Sequence, residues 1–171
     1  MSMKLTNIVE IKAKLVLQTG LHIGAGDSEM HIGGIDNSVI KHPITQSPYI
    51  PGSSLKGKIR TLLEWRSGAV QSDPLTLKDV SKNPEEVKNI LRLFGISGDT
   101  KNSEQEVAEI GVSRLAFWDC ALNEAWENAI RDDNQLLTEA KSENTIDRIT
   151  STAGNPRQTE RVPAGAEFDF K

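Results

Sequence analysis

Five glycines between positions 20 and 34 (Gly20, Gly24, Gly26, Gly33 and Gly34) make regular structure unfavourable over that span, so the flanking segments carry the fold. Upstream, Val9, Ile11, Ala13, Leu15 and Leu17 alternate with Glu10, Lys12, Lys14 and Val16, which predicts a strand with one buried face. Downstream, Val39-Ile40 with Pro43 and Pro48 reads as short extended pieces and turns. Pro51-Gly52 then breaks the chain, Ser53 or Ser54 can cap a helix, and Leu55, Ile59, Leu62 and Leu63 follow at helical spacing. A loop this long in a compact domain points to function or to disorder.

The same forty residues concentrate chemistry. They hold the glycine-rich turn Gly20-Leu21-His22-Ile23-Gly24-Ala25-Gly26-Asp27, an isolated acid in Gly33-Gly34-Ile35-Asp36-Asn37, and the basic helix start Pro51-Gly52-Ser53-Ser54-Leu55-Lys56-Gly57-Lys58-Ile59-Arg60. Backbone amides, hydroxyls and cations suit phosphate oxygens, and one carboxylate beside them suits metal-assisted or acid/base chemistry on a phosphodiester. Lys56 and Arg60 lie four apart on one helix face, so both can accompany an anion near the helix entrance. Gly57 inside the first turns costs about 1 kcal/mol relative to Ala, which close approach of another backbone would explain.

Charge is distributed to match. The net charge of −4 argues against a free-standing, non-specific nucleic-acid binder. Yet residues 1–66 hold 8 Lys and Arg against 5 Asp and Glu, while residues 67–142 hold 8 against 14, so the cations gather where the phosphate-type motifs are. With 171 residues, of which 37% are hydrophobic, the expectation is one domain with a substantial core. No apolar run approaches the roughly 18 residues of a membrane span, and residues 1–7 lack the apolar centre of a signal peptide. The single cysteine, Cys120, excludes an internal disulfide and fits a reducing cytoplasm.

Further along, residues 67–84 are polar and resemble a surface insertion. Pro84, then Val87, Ile90, Leu91 and Phe94, then Gly95 predict a short amphipathic helix. Residues 97–110 read as a second polar loop, and Gly111–Leu122 as a buried strand in which Asp119 must be paired or at an exposed end. Glu124–Ala140 is either a helix or an acidic excursion. Residues 143–162, β-prone, dotted with arginines and centred on a Gly154-Asn155-Pro156 turn, read as an exposed hairpin. Glu167-Phe168-Asp169-Phe170 alternates like the opening of another strand. Trp65, Trp118 and Trp126 are expected in a core or a subunit interface, because none sits inside a basic cluster. His31 and His42 with Asp36 fit no metal-ligand spacing.

Taken in order, Gly20-Leu21-His22-Ile23-Gly24, Gly34-Ile35-Asp36, Pro51 to Lys58, Arg92-Leu93-Phe94-Gly95, Glu143-Asn144-Thr145-Ile146-Asp147-Arg148 and Asn155-Pro156-Arg157-Gln158 resemble the Csm backbone subunit of type III-A CRISPR effector complexes, within the RAMP superfamily of RNA-binding proteins. The resemblance covers nearly the whole chain. It implies an α+β fold: a ferredoxin-like, RNA-recognition-motif core with insertions at 67–84 and 97–110 and a projecting β-hairpin thumb at 143–162, all within a single domain spanning 1–171. It implies a guide-directed, metal-dependent endoribonuclease whose copies stack as a filament on a guide RNA, beside other Csm subunits, and cut a single-stranded target RNA. Asp36 matches the aspartate required for cleavage and would help hold a divalent cation such as Mg2+. His22, Lys56 and Arg148 match RNA-binding positions, and Glu143 matches a position at the thumb base. Relatives continue with a second half of the core, including a glycine-rich loop, so the C-terminal part of the core is expected to be missing.

Local chemistry leaves rivals for each position. Asp36 can cap its own turn, and His22 can be a packed turn histidine. Ser53, Ser54, Lys56, Lys58 and Arg60 can form a solvated face or contact the guide backbone, and Arg148, Arg157 and Arg161 can solubilise a hairpin or touch RNA. In the resembled mechanism the RNA's own 2'-hydroxyl attacks the neighbouring phosphate, and a cation rather than a carboxylate base supports the step, an ordinary aspartate being a weak base at neutral pH. A non-catalytic RNA-binding scaffold is the main functional alternative. A nucleotide-using enzyme is a second, against which the missing Walker spacing argues.

Overall fold

The computed structural model describes residues 4–26, 35–81, 83–96 and 108–171. Along the chain the elements are β1 (Ala13–Val16), β2 (Tyr49–Ile50), α1 (Gly52–Ser67), a 3-10 turn (Leu77–Ser81), α2 (Pro84–Phe94), β3 (Cys120–Ala121), α3 (Glu124–Asp132), β4 (Glu139–Ile146), β5 (Ala153–Arg161) and β6 (Glu167–Phe170). They fall into two compact units, one from residues 1–50 with 119–171 and the other from residues 51–118. The loop at 97–110 lies outside the described residues except for its last three positions.

In the first unit, antiparallel pairing joins β1 to β6, with Ala13 opposite Phe170 and Val16 opposite Glu167. A bridge from Phe168 to Leu122 carries β6 on to the chain leaving β3, and β3 pairs with β2. Phe168 is fully buried at the centre of this run, and Val39, Ile50, Cys120, Leu122, Val162 and Ala166 are buried in the same unit. The alternation from Val9 to Leu17 forms a strand only over four residues. Its ladder ends at the Ala13–Phe170 pair, and no other described strand covers Val9 or Ile11, which stay 78% and 65% exposed.

Helix α3 settles the segment after residue 123 as helical at its start. The Asn123 side chain accepts a hydrogen bond from the Trp126 amide at 3.3 Å and so caps the first turn. The hairpin is formed by β4 and β5 in antiparallel register from Glu139–Arg161 to Ile146–Ala153. Its turn lies at 147–152, not at Gly154-Asn155-Pro156. Asp147 Oδ1 accepts from the amides of Ile149 and Thr150, both at 2.8 Å, which closes the turn and holds the Asp147 carboxyl below the usual aspartate range. Gly154-Asn155-Pro156 instead meets a register shift between Glu143 and Thr145, where Asn155 takes a left-handed φ of 49°. Proline has no amide for the ladder, so a bulge suits it.

The second unit is helical. Val87, Ile90, Leu91 and Phe94, on one face of α2, are buried together with Ala69, Leu75 and Ile110. The polar segment at 67–84 therefore buries Ala69 and Leu75 in this core and packs Leu77 and Val80 against it, and Asp79 Oδ2 ties the loop by accepting from the Thr76 amide and hydroxyl and from Gln71. The stretch expected as one buried strand from Gly111 is extended but mostly unpaired. Leu115 and Phe117 turn into the helical core, where Phe117 stacks on Phe94 at 6.2 Å, and pairing begins only at Cys120. Asp119 sits at the exposed edge of that pairing. Trp65 and Trp118 are 66% and 60% exposed, so neither belongs to a core of this chain.

Candidate nucleic-acid interface

Strand β5 gathers the first-unit candidates. Asp36 is exposed, and its Oδ2 accepts the backbone amide of Gln158 at 2.8 Å. The next residue locks the same contact from both sides: the Asn37 amide donates to the Gln158 carbonyl at 3.2 Å, and the Asn37 carbonyl accepts the Glu160 amide at 2.8 Å. Asn37 thereby forms a parallel bridge with Thr159. One carboxylate lobe of Asp36 is committed to the hairpin base, and Oδ1 accepts no hydrogen bond from the described residues.

His22 arrives at the same strand. Its Nδ1 lies 2.7 Å from the Glu160 carbonyl oxygen. A carbonyl can only accept, so Nδ1 carries the hydrogen, and in the neutral ring Nε2 is left as an acceptor on an exposed side chain. Asp36 and His22 are thus anchored to β5 positions two residues apart, on a strand whose pleat sends positions 158 and 160 to one side.

On the hairpin itself, Glu143 and Arg157 face each other across the ladder, with Arg157 Nη2 donating to Glu143 Oε2 at 3.0 Å. Lys141, 2.9 Å from the other carboxylate oxygen, and Arg157 hold the Glu143 carboxyl below its usual range. Arg148 stands in the turn, exposed, beside Ile149, which is 95% exposed. Among the described residues Arg148 has no acidic partner. Arg161 pairs with Glu139 at 2.6 Å.

In the second unit the helix start differs from the expected serine cap. Pro51 holds the cap position with no side-chain cap bond, so Ser53 and Ser54 occupy the first turn with exposed side chains. Lys58 is exposed, and Lys56 is half-buried with its Nζ 3.5 Å from Ser113 Oγ. Arg60, grouped with these cations by sequence, has a different environment. Its Nε donates to Glu64 at 2.7 Å, and its Nη atoms reach the carbonyls of Gly95 at 3.1 Å and Leu75 at 3.4 Å, all inside the unit. The backbone approach invoked for Gly57 is absent among the described residues; it occurs at Gly52, where a Cβ would overlap the Phe117 carbonyl.

Sequence reasoning missed Glu160. It is buried, and its carboxylate accepts from the Val39 amide at 3.0 Å, Lys41 Nζ at 2.6 Å and Thr138 Oγ1 at 2.6 Å. The available signal was parity: Glu160 shares its strand face with Val162, which is buried. His31 and Asp27 lie outside the described residues. Among the described residues no three His, Cys, Asp or Glu side chains converge to hold a metal ion. Nor is any described helix long and apolar enough to cross a membrane.

The family described as the RAMP superfamily matches residues 14–171. The CRISPR system Cms endoribonuclease Csm3 of Enterococcus italicus is 41% identical over 162 residues, which is 95% of this chain and 68% of that protein. Its namesakes in Streptococcus thermophilus and Mycobacterium tuberculosis are each 43% identical, with 95% of this chain covered and 66% and 61% of theirs. The chain therefore spans about two thirds of the length of these curated relatives or slightly less. Among solved structures, a type III-B Cmr-beta complex bound to cognate target RNA matches 93% of this chain and 44% of its own at a TM-score of 0.56 and 16% identity. The apo state of Cmr-beta matches at a TM-score of 0.56 and 14% identity, over 93% of this chain and 81% of its own. At such identities the likeness is one of fold, a mixed arrangement of helices and strands. With the family match running from β1 to the last strand and relatives above 40% identity, the chain belongs to the RAMP superfamily, in its Csm3 branch.

Proposed function

We propose that this chain is a guide-RNA-binding backbone subunit of a type III-A CRISPR interference complex that cleaves complementary target RNA. Its partners are the guide RNA, the single-stranded target, stacked copies of itself and other Csm subunits, and its compartment is the cytoplasm. The first unit serves as the ferredoxin-like RNA-recognition core and β4–β5 as the thumb, with 67–84 and 97–110 as insertions in one domain spanning 1–171. Support for that reading comes from the run of strands β1–β6–β3–β2 and from the exposed hairpin. Relatives named as endoribonucleases support the activity.

The observation that carries the proposal is Asp36: an exposed carboxylate that accepts a backbone amide of β5 through one oxygen, takes no hydrogen bond at the other from the described residues, and is held by the same strand that anchors His22. Attack of a target 2'-hydroxyl on the adjacent phosphate forms a bond to phosphorus and breaks the bond to the 5'-oxygen. A site for that reaction needs groups that hold the phosphate in line and stabilise charge, more than it needs covalent chemistry. Asp36 would help hold a divalent cation, which would stabilise the charge that develops on the phosphoryl oxygens. His22 Nε2 can take a hydrogen bond from a ribose hydroxyl. Ser53, Ser54, Lys56 and Lys58 at the start of α1 contact the guide backbone, with Glu143, Arg148 and Arg157 along the hairpin. Arg60 acts here from within the fold, holding the helix that presents the others. A divalent cation, with Mg2+ the first to test, would take most of its ligands from RNA phosphates, because the described residues do not supply a full set.

The deciding experiment uses the assembled, RNA-loaded complex with labelled complementary RNA. Asp36→Ala should abolish cutting while target affinity is retained; equal loss of both would remove Asp36 from the chemistry. The lone carboxylate favours one rival, a scaffold that binds RNA without cutting. That rival predicts intact target RNA in the unmodified complex at any concentration of divalent cation.

A further inference from the structure

We propose that Glu160 is the positioning residue of the Asp36 site, an inference that rests on the catalytic reading of Asp36. The carboxylate of Glu160 is buried at the base of β5 and binds three donors: the Val39 amide, Lys41 Nζ and Thr138 Oγ1. Two of these lie three and five residues beyond Asp36. The backbone of the same residue donates to the Asn37 carbonyl and accepts from His22 Nδ1. One residue therefore fixes the chain after Asp36 at positions 37, 39 and 41, and at the same time fixes the ring of His22.

The consequence is mechanical. Asp36 follows a segment rich in glycine, so its placement depends on the anchors that come after it. Remove the Glu160 carboxylate and the Val39 amide, at a residue only 4% exposed, loses its acceptor where water does not easily replace it. Lys41, whose side chain is 31% exposed, can swing to solvent. The segment 37–41 then loses its side-chain tether while the β4–β5 ladder, whose bonds lie on the other edge of β5, is kept. The bond from Gln158 to Asp36 is the first casualty. Small misplacements of a reacting group cost about a hundredfold in rate, so loosening it separates catalysis from binding.

The test has two arms. In the full chain, hydrogen exchange at the Gln158 amide should be faster in Glu160→Ala than in the wild type, with β4–β5 ladder amides unchanged. In the RNA-loaded complex, the single-turnover cleavage rate should fall by about tenfold or more with target affinity held within about twofold. Glu160→Gln, which keeps the volume but has one acceptor oxygen for three donors, should fall between the two and guards against simple misfolding. Unchanged Gln158 exchange in both variants overturns the proposal. If exchange rises but Asp36→Ala still cuts, the positioning role stands and the catalytic reading of Asp36 is what fails.

Discussion

Gln158 holds Asp36 through its backbone amide, not its side chain, across 122 positions of sequence. The side chain at 158 is therefore free to vary, whereas the N–H is not. Gln158→Ala should cleave target RNA at the wild-type rate. Gln158→Pro deletes the donor, and because this amide points away from β4 it costs no ladder bond. Cleavage by the proline variant should drop by about tenfold to a hundredfold with the hairpin intact. Loss of activity in the alanine variant would place a side-chain role at 158 that the geometry does not contain.

Arg60 and Lys58 sit two residues apart on α1 and should behave oppositely. The Arg60 side chain is 18% exposed and that of Glu64 8%, and the guanidinium also holds two carbonyls from outside the helix. Arg60→Ala removes the guanidinium from a buried carboxylate and two carbonyls, a loss of about 3 kcal/mol, read as an earlier urea midpoint. Lys58→Ala should leave that midpoint unchanged and weaken guide binding, with a salt dependence shallower by about one phosphate contact. Equal denaturation curves for the two variants would show that the Arg60 network is not structural.

Acid should dissolve the Glu160 cluster. Burial raises the Glu160 pKa, but the bonds from Lys41, Thr138 and the Val39 amide outweigh it, and the carboxyl rests below its usual value of 4.5. The folded state thus binds fewer protons than the unfolded one near that value. The stability this group contributes is fully present above about pH 4.5 and is lost as pH falls through the lower, folded value. The gap in melting temperature between the wild type and Glu160→Gln should be constant from neutral pH down to about 4.5 and then close. A gap that widens in acid would reverse the sign of the argument.

Elements set by short-range chemistry were legible in the sequence. Helix α2 runs from Pro84 to Phe94 as its proline start, apolar spacing and following Gly95 require, and β6 follows from the alternation at 167–170. Where partners decide, the sequence was mute. The strand pattern at Val9–Leu17 does not say that only four residues find a partner, and the apolar run after Gly111 does not say that its halves pack into different units. The hairpin was visible but its turn was not, because Asp147 turns the chain with side-chain bonds while Pro156, the stronger local signal, sits in a bulge. At the site, Asp36 stood out by resemblance. Its supports, Gln158 and Glu160, come from more than a hundred residues away and act through a main-chain amide and a buried charge, neither of which leaves a motif.

Two glycines of α1 give a paired test of what that helix faces. At Gly52 an added Cβ would overlap the Phe117 carbonyl and crowd the Trp118 backbone, neither of which can move cheaply. Gly52→Ala should therefore destabilise the second unit, by about 2 kcal/mol or more, and shift its melt downward. At Gly57 a Cβ meets nothing within 4 Å among the described residues, and a helix interior favours Ala over Gly by about 1 kcal/mol. Gly57→Ala should raise the melting temperature of the chain alone. The position lies between Lys56 and Lys58, where the guide backbone is proposed to run, and a methyl group there would stand off the phosphates. A more stable chain with weaker guide affinity is the expected result. Higher stability with unchanged affinity would move the RNA path off this face of α1.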